Sequence, residues 1–300
     1  MTVDKLYNSL RSEIENKISL QVDKPEETLD SSLHALWLKS AGISKSAELA
    51  ELAPLPELNE EKLIVLKQLI QQRISGVPLA YLTGCQSFMG IELICDKRAL
   101  IPRKETEILA RKALELSHEI SLVKKPVIIF DVCSGSGNLG LTLAHFNSDS
   151  LVYSSDLSPE AVNLIRDNRS LLKLDKQVDV RQSDLFASYE DGSFYSSVDL
   201  IVCNPPYISS SKVTRMNSEI AQFEPSMAFD GGMMGFKIIQ KLILEAPRFL
   251  NKNGWLIFEV GLGQGPFIMQ LCEKSGNFKQ IGSDVDSLNS IRVVYASLRS

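Results

Sequence analysis

Four consecutive residues, Asn204-Pro205-Pro206-Tyr207, have the side chains best suited to hold a planar nitrogen atom. They follow the apolar run 198–203, which predicts a buried strand. Neither proline can donate to a sheet ladder, and a residue that precedes a proline is driven into extended backbone geometry. The sequence therefore predicts a rigid turn, which we call the hook, at the carboxyl end of a strand, where open α/β sheets bind their ligands.

The hook suits an amide or an aromatic amine, whose nitrogen is a weak nucleophile because its lone pair is delocalised. Two N–H groups on such a nitrogen need two acceptors, which the Asn204 side-chain oxygen and the Pro205 carbonyl can supply, and its flat face can stack on Tyr207. Fixed carbonyl dipoles then stabilise the positive charge that the nitrogen gains as it attacks an electrophile. Asn204, Pro205 and Tyr207 are therefore the candidate catalytic residues, and all four hook residues, Pro206 included, are candidate substrate contacts. A plain Pro-Pro turn is the alternative interpretation.

A glycine-rich segment, residues 131–140, follows an earlier predicted strand, and we call it the glycine loop. Its glycines allow a tight turn, and the helix predicted after it offers free N–H groups to an anion. Asp156 ends the next predicted strand, 21 residues after Gly135, where a carboxylate can accept hydrogen bonds from both hydroxyls of a ribose. This layout is typical of sites for dinucleotides and for S-adenosylmethionine, although Asp156 would also suit a helix N-cap.

The segment Ser183–Phe186, after the third predicted strand, has a place in the same layout. Asp184 would accept a hydrogen bond from the amine of an adenine, and Leu185 would pack on the adenine ring. The spacing is equally compatible with a turn that places Phe186 in the core.

The composition of the 300-residue chain is that of an ordinary globular protein, 44% hydrophobic and 23% charged. No apolar run approaches the ~20 residues of a membrane span, and the polar N-terminal residues lack the apolar core of a signal peptide. Five scattered cysteines without a CxxC pair indicate reduced thiols in the cytoplasm, not disulfides or a zinc site. With only three histidines we expect no metal, and the net charge of −5 indicates no nucleic-acid-binding face.

The surrounding segments predict how these candidates are positioned. Residues 1–75 repeat apolar side chains at helical spacing, which predicts a small helical bundle, and any function there would be partner binding. Residues 1–85 carry nine Lys and Arg against twelve Asp and Glu, so this part is acidic. Residues 76–103 alternate short apolar runs with glycines and predict a β-hairpin that links two domains. Residues 104–300 alternate strands and helices, which predicts an α/β domain with a mainly parallel, doubly wound sheet.

The glycine loop, Asp156, residues 183–186 and the hook, in this order, resemble the class I S-adenosylmethionine-dependent methyltransferases. Within them the chain resembles the HemK/PrmC family, the peptide chain release factor glutamine methyltransferases. The resemblance spans about residues 75–297. Further matching segments are Pro78–Gly84, Leu100–Glu107 with Lys104 in place of a proline, Glu224-Pro225 with Gly231, Gly232 and Gly235, and Gly254–Gly261 with Gln264.

This resemblance implies a seven-stranded, Rossmann-like methyltransferase sheet behind the N-terminal bundle, which would recognise the substrate protein. It also implies S-adenosylmethionine as cofactor, S-adenosylhomocysteine as product, and methyl transfer to the side-chain nitrogen (N5) of the glutamine in the Gly-Gly-Gln motif of release factors. We expect a monomeric cytoplasmic enzyme that binds no nucleic acid directly and no membrane. The cofactor contacts then fall on Cys133, Ser134, Gly135, Ser136, Gly137, Asp156, Asp184, Leu185 and Asn204.

Two positions depart from the family's pattern. Cys133 stands where the family usually has glycine, so its side chain narrows the approach to the cofactor or alters the turn. Met234 stands where the family usually has aspartate, which puts a polar role of that position in doubt.

Four alternatives remain open at this stage. A ribosomal-protein glutamine methyltransferase would use the same hook, so only the N-terminal part and the segment after the hook would choose the partner. An adenine-N6 DNA or RNA methyltransferase would also fit the hook, but it needs Lys and Arg clusters that this acidic chain lacks. A nicotinamide-dependent dehydrogenase would explain the glycine loop and give the hook no role. A nucleotide-binding scaffold would require a degenerate hook.

Overall fold

A computed structural model of the chain describes residues 2–21, 23–207, 223–225 and 236–299. The predictions for Gly231, Gly232, Met234 and Gly235 lie outside the described residues. The chain forms two compact units, of which the first contains Met1–Lys97, Ile101–Lys104 and Asn217–Glu224 and the second contains the rest. Among the described residues, no helix combines the length and apolar character needed to cross a membrane.

The first unit is helical, as the apolar spacing predicted, and it includes the β-hairpin. Its elements are α1 (Val3–Ile14), α2 (Leu29–Ser40), α3 (Ala47–Ala50), α4 (Glu60–Ile74), α5 (Leu79–Thr83), β1 (Cys85–Phe88) and β2 (Ile91–Ile94). Helix α2 begins at a capping box, because Thr28 Oγ1 accepts from Ser31 N at 3.0 Å and Ser31 Oγ accepts from Thr28 N at 2.9 Å. Trp37 is fully buried at the centre of this core, and its Nε1 donates to Pro56 O at 2.9 Å.

A buried ion pair ties together two of the segments that carry the resemblance. Glu224, which is 6% exposed, accepts from Arg103 Nη2 at 2.5 Å and from Ile101 N at 3.0 Å. Removing one partner of such a buried pair typically destabilises a protein by about 3–5 kcal/mol. Glu224 is therefore anchored to the Ile101–Arg103 stretch within the first unit.

The second unit is a seven-stranded sheet with helices between the strands, which confirms the predicted fold class. The strands are β3 (Val127–Val132), β4 (Ser150–Asp156), β5 (Val178–Gln182), β6 (Val198–Cys203), β7 (Leu250–Glu259), β8 (Phe278–Val285) and β9 (Ile291–Leu298). Their order in the sheet is β5-β4-β3-β6-β7-β9-β8, in which β9 is antiparallel to both of its neighbours and the other pairs are parallel. The helices are α6 (Thr106–Ser121), α7 (Asn138–Phe146), α8 (Pro159–Leu171), α9 (Lys237–Glu245) and α10 (Gly265–Ser275).

The core of this unit explains the near-continuous apolar runs of its central strands. Every residue of β6 is buried, because a parallel strand at the centre of a sheet is covered on both faces. Phe130 of β3 lies among aromatic side chains, with ring centroids 4.4 Å from Tyr189 and 5.2 Å from Phe194. Such aromatic contacts add to the free energy gained by burial.

The register of the sheet aligns the carboxyl ends of four strands. Val132 of β3 pairs with both Ser155 of β4 and Cys203 of β6. Cys203 in turn pairs with Phe258 of β7. The residues that come next on these strands, Asp156, Cys133, Asn204 and Glu259, therefore form one row at this edge, which we call the site row.

Candidate active site

The hook leaves the sheet at the end of β6, as the sequence predicted. Pro205 is buried, whereas Asn204, Pro206 and Tyr207 are partly exposed. Neither proline can extend the ladder of β6, so the chain must turn away from the sheet here. The row places Asn204 beside Cys133 of the glycine loop on one side and beside Glu259 on the other.

Tyr207 is fixed at both its side chain and its main chain. Its hydroxyl donates to Glu259 Oε1 at 2.9 Å. Its carbonyl accepts from Gln264 Nε2 at 3.0 Å, and Gln264 Oε1 accepts from Gly261 N at 2.9 Å. The pKa of the Tyr207 hydroxyl is raised, first by burial and then by the neighbouring Glu259, so this phenol stays protonated as a donor.

Asn204 is linked to the same carboxylate through a threonine. Asn204 Nδ2 donates to Thr106 Oγ1 at 3.2 Å, and Thr106 Oγ1 donates to Glu259 Oε2 at 2.7 Å. Glu259 is only 2% exposed, and burial raises its pKa, which Arg292 Nη2 at 3.7 Å opposes. The side chains of Asn204 and Tyr207 are thus both linked by hydrogen bonds to one buried glutamate, Asn204 through Thr106.

Sequence reasoning did not assign a role to Thr106 or Glu259. The resemblance included both positions, but only as parts of matching segments. One signal was available, because Glu259 is an acid within the otherwise apolar run Trp255–Val260. A carboxylate inside such a run must find partners or be costly to bury.

The glycine loop turns sharply between β3 and α7. Gly135 and Gly137 have φ values of +56° and +84°, which glycine adopts without strain. Cys133 has a φ of +58° as well, and this left-handed conformation costs a residue with a Cβ roughly 1–2 kcal/mol. Cys133, which stands where the family usually has glycine, therefore has a backbone conformation that favours glycine.

Two buried serines hold the glycine loop in place. Ser134 Oγ donates to Asp131 O at 2.7 Å and accepts from Ser155 N at 3.0 Å, which joins the loop to β4. Ser136 is 1% exposed, and its carbonyl accepts from Asn168 Nδ2 at 3.0 Å. The Ser134 side chain therefore serves the loop itself, whereas Ser136 is held through its backbone carbonyl.

Asp131 is the buried acid beneath the loop. Its Oδ2 accepts from Gly140 N at 2.9 Å and from Ser154 Oγ at 3.4 Å. Its Oδ1 has no hydrogen-bond partner among the described residues. Burial raises the pKa of Asp131 to about 7, an effect that the Gly140 hydrogen bond partly offsets.

Asp156 lies at the end of β4, next to the glycine loop. Its Oδ2 accepts from Gly135 N at 2.9 Å and its Oδ1 from Ser158 N at 2.9 Å. Ser158, not Asp156, caps α8, because its hydroxyl accepts from Ala161 N at 3.2 Å. Burial raises the pKa of Asp156, and each of its oxygens keeps a lone pair for a further donor.

The segment after β5 divides into an exposed acid and buried apolar side chains. Asp184 pairs with Lys241 at 2.8 Å, and its side chain is 61% exposed. Leu185 is 4% exposed and has a φ of +50°. Phe186 is fully buried and stacks on Phe249 with ring centroids 4.7 Å apart, as in the core alternative considered for this segment. The structure thus gives Asp184 access to a ligand but leaves little of Leu185 uncovered.

The groups around the glycine loop fit the nucleoside part of S-adenosylmethionine. A Cβ built on Gly135 would meet no heavy atom within 4 Å, so the loop leaves open space where the backbone can approach a ligand. Asp156, next to that space, offers acceptors of the kind that ribose hydroxyls need. The lone pairs of Asp156 and the space above Gly135 together match a nucleoside.

Comparisons with known proteins agree with this layout. A protein-family model described as methyltransferase small domain matches residues 115–223. The chain is 32% identical over 241 residues to the release factor glutamine methyltransferase of Clostridium acetobutylicum, which covers 80% of this chain and 82% of that protein. It is also 32% identical over 215 residues to the ribosomal protein uL3 glutamine methyltransferase of Francisella tularensis subsp. tularensis, covering 72% of this chain and 66% of that protein.

A solved structure supports the fold assignment alone. The human methyltransferase 10 domain containing protein aligns with a TM-score of 0.51 at 15% sequence identity. The alignment covers 70% of this chain and 90% of that chain. The sheet described above is therefore one that known methyltransferases share.

Proposed function

We propose that this chain, which belongs to the release factor glutamine methyltransferase family, methylates the side-chain nitrogen (N5) of the glutamine in the Gly-Gly-Gln motif of release factors. The observation that carries the proposal is the site row. The glycine loop and the hook end neighbouring strands, so a methyl donor held by one would face an acceptor nitrogen held by the other. A dehydrogenase or a nucleotide-binding scaffold would leave the hook and its hydrogen bonds without a purpose.

S-adenosylmethionine, when bound, would supply an electrophilic methyl group on sulfur and leave as S-adenosylhomocysteine. The backbone of residues 133–137 would bind it, Asp156 would hold its ribose hydroxyls, and Asp184 would face its adenine. Leu185 and Asn204 complete the proposed contacts. Lys241, which neutralises Asp184, would have to release that carboxylate or share it.

The hook would bind and orient the substrate amide. Asn204 Oδ1 and the Pro205 carbonyl would accept its two N–H groups, and Tyr207 would stack on its plane, with Pro206 fixing the turn. Methyl transfer would form a bond between this nitrogen and the methyl carbon and break the carbon–sulfur bond, whose electron pair would leave with sulfur. The amide, now positively charged and acidic, loses one proton to water. Fixed acceptors favour this step because they interact more strongly with the charged nitrogen than with the neutral one.

The direct test is methyl transfer to purified full-length release factor, followed by mass mapping of the modified residue. We expect one added methyl group on the Gly-Gly-Gln glutamine and none on a release factor in which that glutamine is replaced by alanine. Titration calorimetry should show binding of S-adenosylmethionine and not of NAD. A wild-type chain that binds S-adenosylmethionine yet leaves the release factor unmodified would refute the proposal.

A second candidate is methylation of a ribosomal-protein glutamine. The Francisella relative, named for uL3, is as similar in identity as the Clostridium relative named for release factors. The hook cannot distinguish the two targets, because both are glutamines. Competition between equal concentrations of release factor and ribosomal protein uL3, with duplex DNA as a third target, decides among them by the ratio of kcat/KM. Dominant methylation of uL3 would favour the second candidate, and methylated adenine would overturn both.

We further propose that the helical unit recognises the substrate protein, and that the enzyme is monomeric, acts in the cytoplasm and binds no nucleic acid directly.

Ile64 of α4 is a candidate contact for the substrate protein, because its side chain is 58% exposed. Single exposed apolar side chains are common on protein surfaces, so the contact is tested by substitution. Ile64→Glu should raise KM for intact release factor and leave KM for a short Gly-Gly-Gln peptide unchanged. Leu122→Glu, at an 85% exposed position after α6, is the matched control. Equal KM values for both variants would count against recognition at α4.

A further inference from the structure

The amide of Asn204 lies in one of two orientations with opposite chemistry. Its Nδ2 donates to Thr106 Oγ1 at 3.2 Å. Within the part of the chain that the structure describes, its Oδ1 accepts no hydrogen bond and is left for a ligand. A half-turn of the amide exchanges acceptor for donor with almost no change of shape. In that reversed orientation an N–H of Asn204 would meet an N–H of the substrate, and the acceptor would be lost.

The hydrogen bonds behind Asn204 select the orientation. Burial raises the pKa of Glu259, whereas the hydrogen bonds from Thr106 and Tyr207 and the charge of Arg292 at 3.7 Å favour its carboxylate form. A carboxylate can only accept, and Glu259 takes the hydroxyl proton of Thr106 at 2.7 Å and that of Tyr207 at 2.9 Å. A threonine hydroxyl has one proton, so once that proton is given to Glu259 the oxygen can only accept from Asn204. The side of the Asn204 amide that faces Thr106 must then be Nδ2.

We propose that Thr106 and Glu259 are positioning residues for methyl transfer, which hold the Asn204 amide with its oxygen toward the substrate nitrogen. The inference rests on the proposed function and adds to it the pair of residues that determines which side of the Asn204 amide, the oxygen or the NH2 group, faces the substrate. Neither side chain needs to touch the substrate or the cofactor. They act by fixing the direction in which the Thr106 hydroxyl donates its proton, which in turn fixes the orientation of the Asn204 amide.

The first test changes the threonine. Thr106→Val removes the acceptor for Nδ2 at nearly constant volume, so the amide loses its preferred orientation. We expect kcat to fall about fivefold or more, the factor that corresponds to one net hydrogen bond. Thr106→Ser keeps the hydroxyl and should restore most of kcat. Thr142→Val is the matched control: Thr142 is 1% exposed, and its hydroxyl has no hydrogen-bond partner among the described residues, so its kcat should equal that of the wild type.

The second test exchanges donors and acceptors in the hydrogen bonds that link Glu259, Thr106 and Asn204. In Glu259→Gln the Tyr207 hydroxyl takes the single side-chain oxygen, and the new NH2 group faces Thr106. Thr106 then accepts from residue 259 and donates toward Asn204, which favours the reversed amide. We expect about a hundredfold loss of kcat, with the affinity for S-adenosylmethionine, measured by titration, within about threefold of the wild type.

The double variant separates this mechanism from a loss of structure. Adding Thr106→Val to Glu259→Gln removes the misdirected proton, so the double variant should have a higher kcat than Glu259→Gln alone. Two merely structural defects would add or worsen. A double variant no more active than Glu259→Gln overturns the proposal, and so does a Thr106→Val enzyme with wild-type kcat. If Glu259→Gln does not fold, the comparison of valine and serine at position 106 decides. Absence of methyl transfer by the wild-type chain would instead overturn the proposed function.

Discussion

Replacing Asp131 by asparagine should change how the stability of this protein depends on pH. The carboxyl is completely buried beneath the glycine loop, and burial raises its pKa to about 7 from an ordinary value of 3.8. Since the folded state binds the proton more tightly than the unfolded state, the carboxyl stabilises the fold at low pH. That contribution is lost as the pH rises through about 7.

The size of the effect follows from these two pKa values. Between about pH 5 and about pH 8, the free energy of unfolding should fall by about 2.5 kcal/mol through this one group. Asparagine cannot ionise, so in Asp131→Asn this dependence of the free energy of unfolding on pH is absent. Its oxygen can keep the hydrogen bond from Gly140 N, but its NH2 group takes the place of Oδ1, which has no partner among the described residues. That buried donor costs about 1–3 kcal/mol at every pH.

The stability of Asp131→Asn relative to the wild type should therefore increase by about 2.5 kcal/mol from about pH 5 to about pH 8. The Ser134 hydroxyl, which gives its proton to the Asp131 carbonyl at 2.7 Å, contributes at both pH values and does not change this difference. Urea unfolding at both pH values measures the difference. Thr142→Val, on the helix after the loop, should shift both measurements equally. Parallel pH dependences for wild type and Asp131→Asn would show that the carboxyl does not titrate in this range.

Three further predictions concern the hook. Asn204→Ala should lower turnover at least ~10²-fold, the usual effect of losing one transition-state hydrogen bond, in a steady-state methylation assay. Tyr207→Phe should keep most of the turnover, because Gln264 holds the main chain of Tyr207 independently, whereas Tyr207→Ala should not; equal losses would assign the effect to the hydroxyl. Gly261→Ala would place a Cβ 2.9 Å from Gln264 Oε1 and 3.0 Å from Tyr207 Cδ2. It should reduce kcat about tenfold or more while costing only about 1–3 kcal/mol in thermal unfolding, and unchanged kinetics would mean that the ring position is not critical.

The fold could be predicted from the sequence because its strands and helices have different apolar periods. The predicted ends of strands and helices were less accurate where polar residues or a local turn interrupt the apolar pattern. The apolar run Trp255–Val260 predicts a strand, yet β7 already begins at Leu250, because the polar residues 251–253 carry no apolar signal. The apolar spacing from about Phe236 to Phe249 predicts one helix, yet α9 ends at Glu245 and a 3-10 turn, Ala246–Arg248, follows it. Pro247 lacks the N–H that a continuing α-helix requires.

Within the candidate site, the hook and the glycine loop could be recognised because each is contiguous in the sequence. Their support could not be recognised in the same way. Thr106 lies 98 residues from Asn204 and 153 residues from Glu259. Strand register sets Asn204 beside Glu259, and helix α6, which packs on β6 and β7, brings its first residue, Thr106, to them. The left-handed backbone at Cys133 was likewise indicated only by comparison with a family pattern, since cysteine itself carries no such preference.

The site row also has a mechanical consequence. Neighbouring strands of a sheet lie about 4.8 Å apart, and this spacing hardly varies. The end of β3, which carries the glycine loop, and the end of β6, which carries the hook, are paired at Val132 and Cys203. The gap between the two attachment points is therefore set by backbone hydrogen bonds rather than by loop conformation. Under the proposed function, substitutions in the glycine loop would weaken cofactor binding without misaligning the ends of β3 and β6, whereas a one-residue slip of β6 would displace the whole hook.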